Sequence, residues 1–373
     1  MAEPFKNWIN DSVAEWLGAR VLDVWPAFSV QAYAGSYQGR LQALELKARA
    51  QLVGECLRKA LPADMGQALT ILTDAICATP EVTVDDMQGG WPMFPINSLV
   101  ATYGLDHPEL SLILLFEVTK RFTSEFGIRP FLEQHTELTL DQLHIWASDE
   151  NVHVRRLVSE GSRPRLPWAP QIKAFMVDPA PVFELLEKLK DDPEEYVRRS
   201  VANNLNDICK DHPAAMLQVV EAWSKDASPE RKKLIRHACR TLIKAGDPKC
   251  LEILGFAPPE LDEVQMVLST DKLTLGEKLS IELQLLSTCN STQDLIVDYR
   301  FHWIKANGKP SARVHKGSQV ALAAGDRRTI KHTFHIKPIT TRRYYSGRTL
   351  VELLINGQKI ASGEFHMLVP DSE

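Results

Sequence analysis

Three carboxylates and several arginines form the part of this sequence that could do chemistry. Glu160 follows Arg156 by one helical turn, and Asp207 follows Arg199 by two. Glu125 stands between aromatic residues in RFTSEFGIRPF, where burial would make an unpaired charge costly. An Arg–Glu pair one turn apart is more often an ordinary surface ion pair. The spacing therefore leaves two interpretations open, a surface ion pair or a site for acid–base or electrostatic catalysis.

Trp168 is the aromatic candidate, and it lies in RPRLPWAP, a loop with three prolines that also contains Arg163 and Arg165. An indole beside arginines could stack on a base or sugar or face a cation. It could equally fill the gap between two helical repeats. No nucleotide loop, HExxH, GxSxG or Cys/His nucleophile pattern appears, and the six cysteines lack metal-ligand spacing. We therefore predict neither a metal site nor a cofactor.

Three helical segments with the same pattern would position these groups. They are 154–163, 197–206 and 234–243, which align without gaps at intervals of 43 and then 37 residues. A period of this length is typical of HEAT-like arrays, in which stacked helix pairs share a continuous core. The sequence therefore predicts a mainly α fold, a HEAT-like α-solenoid with an extended open surface.

A helical wheel assigns opposite faces to the apolar and polar residues of the second repeat. Val201, Leu205 and Ile208 fall on the side of Val197 and predict a buried stripe. The polar positions of the three repeats are Arg156 and Glu160, then Arg199 and Asn203, then Arg236, Arg240 and Lys244. This stripe is either a solvated face or a surface for nucleic-acid phosphates, which the planar guanidinium group suits.

A change in the pattern of apolar and polar residues divides the sequence into two domains. Residues 258–263 are predicted to be a linker, and residues 1–257 to be a helical domain. Its amphipathic stretches, each predicted to be a helix, are 5–20, 40–60, 64–78, 108–126, 139–147, 151–162, 181–190, 194–210, 213–224 and 229–245. Residues 264–373 alternate apolar and polar residues, which predicts a small all-β sandwich of immunoglobulin type with Trp303 in its core. The hairpin signals are Asn307-Gly308 and Asn356-Gly357.

The charge is distributed unevenly between these domains. Residues 1–143 carry 10 Lys and Arg against 18 Asp and Glu, whereas residues 264–373 carry 15 against 10. Such an asymmetry can hold an anionic polymer against the basic side. The basic clusters, which we expect near strand ends or loops, are Arg313/Lys316, Arg327/Arg328 and Arg342/Arg343/Arg348. We expect at least one of them to be a contact surface.

The sequence shows no signal for a membrane. Its start, MAEPFKNW, lacks a basic-then-apolar signal segment, and the longest apolar run, Leu110–Phe116, is too short to span a bilayer. We therefore expect a soluble protein of the reducing cytoplasm.

Four stretches of the helical part carry a resemblance to a known family. They are GGWPMFPINSLVATYGLDHPELSL, TKRFTSEFGIRPFLEQHTELTL, LHIWASDENVHVRRLVSEGSRPRLPWA and VRRSVANNLNDICKDHP. In these stretches the sequence resembles the AlkC family of DNA-alkylation-repair glycosylases, which is related to the AlkD family and shares its HEAT-like array. The resemblance covers residues 1 to about 257. Some AlkC members add an immunoglobulin-like C-terminal domain, which the β-rich segment fits.

The resemblance implies a monomeric, monofunctional glycosylase that excises cationic N-alkylated bases, chiefly 3-methyladenine and 3-methylcytosine, from duplex DNA. Glu125, Glu160 and Asp207 would act on the sugar and the attacking water, with Glu160 and Asp207 the preferred pair. Trp168 would face the sugar or the cation. Arg156 would hold a phosphate or anchor Glu160. The AlkD-like relatives act on a lesion left largely in the duplex, so the resemblance also implies excision without full base flipping, and an open face with no evident deep pocket agrees with this. No lysine is placed by a motif for strand cleavage.

The proposed DNA contacts extend along both domains. They are Arg156, Arg163, Arg165, Arg199, Asn203, Arg236, Arg240, Lys244, Arg313, Lys316, Arg342 and Arg343. The alternative is a non-catalytic HEAT-repeat scaffold that binds nucleic acid or protein, because a fold alone does not determine function.

Overall fold

The computed structural model describes residues 4–81, 90–262, 264–339 and 342–370. Helices occupy the chain up to Ile253, and strands follow from Gln265. The predicted fold class, a HEAT-like helical array followed by a small all-β domain, is confirmed. By packing, the chain forms two compact units, Met1–Val219 with Ala227–Ala238, and Val220–Asp226 with Cys239–Glu373. The predicted boundaries at 257 and 264 stay predictions.

The helices follow one another through the first part of the described chain. They are a 3₁₀ helix at Phe5–Trp8, then α1 (Asp11–Val24), α2 (Val30–Tyr37), α3 (Leu46–Ala60), α4 (Met65–Cys77), α5 (Met93–Tyr103), α6 (Pro108–Thr119), α7 (Arg129–Gln134), α8 (Thr136–Trp146), α9 (Val152–Gly161), α10 (Lys173–Val177), α11 (Ala180–Leu189), α12 (Glu195–Ile208), α13 (Pro213–Ser224), α14 (Pro229–Ala238), α15 (Arg240–Ala245) and α16 (Pro248–Ile253). Proline begins α6, α13, α14 and α16, because its fixed φ suits the first helical position.

The predicted repeat is present in α9, α12 and α14. Helix α12 packs against both α9 and α14. The predicted stripe of Val197, Val201, Leu205 and Ile208 is buried on α12, while Arg199 is exposed. The amphipathic pattern therefore identified the core face of this helix correctly, because the apolar side of a surface helix must pack against its neighbours.

The third repeat segment, 234–243, is not one helix, and that prediction is wrong. Helix α14 ends at Ala238 and α15 begins at Arg240. Between them Cys239 has a ψ of 1°, far from the value of about −42° in an α-helix. Arg236 and Arg240 therefore lie on different helices, and the i, i+4 argument for a shared face does not apply to them.

Helix α5 is the main element that the sequence analysis missed. It buries Met93, Pro95, Ile96, Asn97, Leu99 and Val100. A helix covered on nearly every side lacks the polar stripe by which amphipathic helices are recognised. The helix expected over 108–126 also ends early, at Thr119. As a consequence, Glu125 lies in the turn between α6 and α7 rather than on a helix.

The strands of the second unit form two sheets. They are β1 (Gln265–Leu268), β2 (Lys272–Thr274), β3 (Lys278–Leu286), β4 (Gln293–Ile304), β5 (Pro310–Leu322), β6 (Arg327–His335), β7 (Gly347–Ile355) and β8 (Gln358–Leu368). One sheet has the order β1-β3-β6 and the other β2-β8-β7-β4-β5. Only the β2–β8 pair among these neighbours is parallel. Inward side chains of both sheets form one core, in which Trp303 is 3% exposed, as predicted.

Both predicted hairpin turns are present. Gly308 lies between β4 and β5, and Asn356-Gly357 joins β7 to β8 with φ values of 46° and 78°.

The positions of Arg313 and Lys316 differ from expectation, because both lie inside β5 rather than near a strand end. Arg313 is opposite Phe301 and Lys316 is opposite Asp298. Residues an odd number apart point to opposite faces of a sheet, so these two cations do not form one cluster.

The two hairpin glycines provide a matched stability test. A Cβ on Gly357 would lie 2.2 Å from the Gly246 carbonyl oxygen, whereas a Cβ on Gly308 would meet nothing within 4 Å. Both residues have positive φ, at 78° and 73°. We expect Gly308→Ala to cost about 1–2 kcal/mol of unfolding free energy for the backbone strain alone. Gly357→Ala should cost about 1–3 kcal/mol more for the clash. Equal losses in urea-induced unfolding would contradict the close approach of Gly357 and Gly246.

Candidate active site

An unbroken series of ion pairs runs through the middle of the helical unit. Its members, in order, are Glu125, Arg156, Glu160, Arg163, Asp207 and Lys210. The N–O distances between successive members are 3.2, 3.6, 2.7, 2.8 and 2.9 Å. We call these six residues the charge network. All three carboxylates selected from the sequence belong to it, and two of the arginines lie between them.

Three elements position the network. Arg156 and Glu160 lie on one face of α9, and Arg163 follows just after its end. Asp207 projects from α12, which packs against α9. Glu125 comes from the turn that precedes α7. The network is therefore assembled from residues that are 31 and 44 positions apart in the chain.

Small polar residues join α9 to α12 beside the network. Ser159 donates a hydrogen bond to Ser200 at 2.7 Å, and Ser200 donates one to Glu160 Oε2 at 2.6 Å. Asn204 Nδ2 donates to the Ser159 carbonyl at 2.8 Å and to Ser162 Oγ at 3.1 Å. These bonds satisfy polar groups that burial would otherwise make costly. They also hold one oxygen of Glu160 in a fixed direction.

The environment shifts the pKa values of Glu125 and Glu160 in opposite directions. Burial raises the pKa of Glu125, and the nearby Glu160 charge adds to this effect, while Arg156 opposes it. Burial also acts to raise the pKa of Glu160, but Arg156, Arg163 and the Ser200 hydroxyl together lower it below the ordinary value. Neighbouring carboxyls with divergent pKa values are typical of catalytic sites.

An aromatic cleft of about 320 Å³ opens beside the network. Glu125, Glu160 and Arg163 line it on one side. The aromatic residues of its wall are Trp91, Phe94, Phe122, Phe126 and Trp168. The sequence indicated an open face with no evident deep pocket, and in the structure this face carries a cleft whose wall includes Phe94 of α5. Trp168 and the aromatics on either side of Glu125 were the local signals of this wall in the sequence.

The Trp168 loop is stiff, and it exposes its indole. Trp168 has a φ of 65°, and its side chain is 71% exposed. The Ile172 N–H donates to the Pro164 carbonyl at 3.1 Å and closes the loop. Lys47 on α3 donates to the Trp168 carbonyl and lies 5.1 Å from the centre of the Phe126 ring. Lys47 also lines the cleft, although nothing in its sequence context indicated this.

Asp207 occupies a different position from the other two carboxylates. It is 2% exposed, is not among the residues that line the cleft, and bonds to Arg163 and Lys210. Glu125 and Glu160 are the carboxylates that face the cleft. The preferred pairing of Glu160 with Asp207 is therefore present only through Arg163, which bonds to both.

Several arginines assigned to DNA have protein partners instead. The guanidinium of Arg163 is buried between Glu160 and Asp207, and that of Arg165 forms two hydrogen bonds with Asp211, at 2.8 and 2.6 Å. Arg156 contacts Glu125 and Glu160, which favours the anchoring role over the phosphate role. A buried paired arginine is not available to phosphate, so the structure corrects the assignment of Arg163.

The remaining helical candidates lie nearer to solvent. Arg199 and Arg236 are exposed on α12 and α14, and Asn203 is half-buried and accepts from or donates to His237 at 3.0 Å. On α15, in the second unit, Lys244 is exposed and Arg240 is half-buried.

In the β-rich unit the basic residues group differently from their sequence order. Arg342 lies 5.9 Å from the ring centres of both Trp303 and Tyr344, and Arg343 lies 5.7 Å from that of Tyr345. The charges of Arg313 and Arg342 both act on His315, whose pKa burial and these cations lower. Arg313 thus belongs with Arg342 rather than with Lys316.

Two further findings concern ions and membranes. In residues 4–81, 90–262, 264–339 and 342–370, no group of three His, Cys, Asp or Glu side chains is placed to hold a metal ion. Within the same ranges, no helix has both the length and the apolar character needed to cross a bilayer.

Comparison with known proteins places this site in a repair family. Residues 122–242 match the family described as DNA alkylation repair enzyme, and residues 262–369 match the C-terminal Ig-like domain of the uncharacterised protein YhaZ. YhaZ of Bacillus subtilis (strain 168) is 36% identical over 328 residues, covering 87% of this chain and 88% of that protein. The structure of Pseudomonas fluorescens alkylpurine DNA glycosylase AlkC, bound to DNA containing an abasic site analog, matches with a TM-score of 0.80 at 34% identity, covering 98% of this chain and 100% of that one.

The matched region 122–242 contains the whole charge network and Trp168. The resemblance inferred from sequence is confirmed by relatives that match almost the full chain. This protein belongs to the AlkC family of DNA alkylation repair enzymes, in the form that carries a C-terminal immunoglobulin-like domain.

Proposed function

We propose that this protein is a monofunctional DNA glycosylase that hydrolyses the N-glycosidic bond of cationic N-alkylated bases, such as 3-methyladenine and 3-methylcytosine, in duplex DNA. The observation that carries the proposal is the charge network beside an aromatic cleft with an exposed tryptophan. The related AlkC of Pseudomonas fluorescens is an alkylpurine DNA glycosylase that was solved on DNA with an abasic site analog, which supports alkylated purines as substrates here.

The proposed reaction needs little acid catalysis. A base alkylated on a ring nitrogen carries a positive charge, so cleavage of the bond between C1′ and nitrogen returns the electron pair to the ring and releases a neutral base. The sugar acquires oxocarbenium character, as in glycoside hydrolysis. Water then forms the new bond to C1′ and loses a proton. The enzyme therefore needs negative charge near the sugar and a directed acceptor for that proton.

Glu125 and Glu160 suit these tasks because both line the cleft. Glu160 has one oxygen held by Ser200 and the other by Arg163, so its charge is fixed before the substrate arrives. Asp207 holds Arg163 from the other side and thus orients Glu160 indirectly. In this proposal the exposed indole of Trp168 faces the cationic sugar or base through its π face. An indole this exposed can reach a sugar in the duplex, which supports excision without full base flipping.

The DNA backbone is proposed to contact Arg199 and Arg236 of the helical unit and, separately, Arg313 and Arg342 of the β-rich unit. Guanidinium groups at the surface bind phosphates without reading sequence. A scaffold without chemistry is the alternative. It is less favoured, because three buried carboxylates cost desolvation energy that simple binding does not require.

The deciding experiment is an assay of free base from methylated duplex DNA. We expect the wild-type protein to release 3-methyladenine, and Glu160→Gln to slow single-turnover excision by about 100-fold or more, the scale of losing one preorganised electrostatic group. Affinity for DNA should change much less, because the interaction is made mainly in the transition state. Glu137→Gln, an exposed carboxylate outside the network that lines neither cavity at Trp168, is the control. No base release by a folded wild-type protein would favour the scaffold.

The pH dependence of the excision rate should report the ionisation of Glu125. Its raised pKa means that the carboxylate forms only above the ordinary value of 4.5. If ionised Glu125 stabilises the cation, excision falls as pH decreases through this raised pKa, so the acid limb lies above pH 4.5. Glu125→Gln should be slower but should lose this limb, leaving one at lower pH from Glu160. An identical acid limb in both proteins, with melting unchanged over the range, would exclude Glu125 as the titrating group.

The phosphate contacts are tested by salt dependence. Replacing Arg199 and Arg236 together by Gln should weaken binding to lesioned and undamaged duplexes alike. The slope of log affinity against log salt should decrease by about 1 for each lost contact. Arg231→Gln is a suitable control, because Arg231 is not among the proposed phosphate contacts and pairs with Asp191. An unchanged slope in the double variant would assign Arg199 and Arg236 to a solvated face.

A further inference from the structure

Arg129 is a buried cation whose hydrogen bonds all go to backbone carbonyls. It is 3% exposed. Nη1 donates to the carbonyls of Gly161 at 3.0 Å and Arg163 at 2.8 Å, while Nε and Nη2 both donate to the Pro170 carbonyl, at 3.1 and 2.6 Å. None of the ion pairs in the described residues includes it. The Arg129 guanidinium therefore donates hydrogen bonds to backbone carbonyls and forms no ion pair with a carboxylate of the described residues.

Such an arrangement is costly to maintain. Removing a charge from water requires compensation, and Arg129 receives it from carbonyl dipoles and from the more distant charges of Glu133, Asp207 and Glu160 rather than from a carboxylate in an ion pair. Burial accordingly lowers the pKa of Arg129 to about 10. An apolar side chain of similar size would avoid this cost. An arginine at this position is explained if its four hydrogen bonds perform a task that an apolar side chain could not.

The composition of the Trp168 loop shows what these bonds supply. Prolines 164, 167 and 170 lack backbone N–H groups, so the loop has few donors with which to bond to itself. Arg129 bonds to carbonyls at the beginning of the loop, Gly161 and Arg163, and to Pro170 at its end. One planar fork therefore connects the two ends of the segment that carries Trp168. A lysine would offer its donors from a single point and would not span both ends.

The same carbonyl contacts connect the loop to the charge network. The backbone of Arg163 is held by Arg129, while its guanidinium bonds to Glu160 and Asp207. Displacing this backbone would move the guanidinium relative to both carboxylates, and displacing Pro170 would move Trp168, two residues away.

We propose that Arg129 is a positioning residue that closes the Trp168 loop and thereby sets both the indole at the cleft and Arg163 between the carboxylates. This role rests on the proposed glycosylase function for its catalytic consequence, but the structural part stands independently. Arg129 lines an adjoining cavity that also reaches Trp168, but not the aromatic cleft beside Glu125 and Glu160. Its guanidinium bonds to the loop carbonyls, so in this proposal it acts through the residues it holds.

Arg49 provides a matched control. It is also buried, at 6% exposure, and its guanidinium donates only to backbone carbonyls, those of Lys6, Ile9, Gln42 and Leu44. It lies outside the loop and the network. Arg49→Met therefore reproduces the loss of a carbonyl-bonded buried arginine whose own hydrogen bonds do not involve the Trp168 loop.

The test compares Arg129→Met, Arg129→Lys and Arg49→Met in the full chain. We expect Arg129→Met to lower the single-turnover excision rate constant by about 100-fold, the scale of a displacement of about 1 Å in a catalytic group. Its affinity for DNA should stay within threefold of wild type. Amide hydrogen exchange should increase in peptides covering 163–172, where Ile172 N–H is bonded in the wild type. Arg129→Lys should be impaired in both measurements, and Arg49→Met should be unchanged in both.

Two outcomes would overturn the proposal. Full activity in Arg129→Lys would mean that charge, not the connection of the loop ends, is what matters. Slow excision with unchanged exchange at 163–172 would mean that Arg129 acts by another route. If the wild type releases no base, the glycosylase function fails, and the exchange measurement alone then decides whether Arg129 holds the loop. Arg129→Lys keeps the test valid if Arg129→Met does not fold.

Discussion

The requirement that a buried charge be paired organises the central part of this protein. The charge network alternates in sign from Glu125 to Lys210, with every neighbouring pair within 3.6 Å. In a low-dielectric interior an unpaired charge at Glu160 or Arg163 would be costly, whereas Lys210, the last member of the network, is exposed. Helices α9 and α12 must therefore pack in the one register that brings Arg163 between Glu160 and Asp207. The close packing of Ser159 on Ser200 follows from the same register.

In the proposed function, this arrangement gives a fold built from helix stacking its catalytic site. Interactions fixed in advance are effective in catalysis because they need no reorganisation when charge develops. The carboxylates that face the cleft are held by arginines and a serine before any ligand binds. A site for a cationic transition state is consistent with this design, because Glu125 and Glu160 present oxygen atoms to the cleft while their other contacts are satisfied within the protein.

The Trp168 loop illustrates the cost of rigidity. Three prolines restrict its backbone but remove three donors, so its carbonyls depend on side chains from elsewhere. Arg129 contributes donors from inside, and Lys47 contributes one to Trp168 itself. The exposed indole with positive φ is thus maintained by two cations from α7 and α3. Strain at an exposed aromatic residue is typical of functional positions.

The sequence by itself determined the features that depend on local periodicity. The core stripe of α12, the two Asn-Gly hairpins and the buried Trp303 were all predicted, because helix and strand periods assign faces without reference to the rest of the chain. The three carboxylates and Trp168 were also selected before the structure, as members of one site. Their selection drew on residue type and on the resemblance to a family.

Only the tertiary structure decided which of these residues meet. Glu125 pairs with Arg156, and Arg163 with Asp207, across separations of 31 and 44 residues. No local pattern encodes such contacts, because they depend on how separate helices pack. The same reason hid α5 and its part of the cleft wall, since a helix buried on nearly all sides has no amphipathic signal. Strand register likewise separated Arg313 from Lys316, which lie close in sequence but on opposite faces of the sheet.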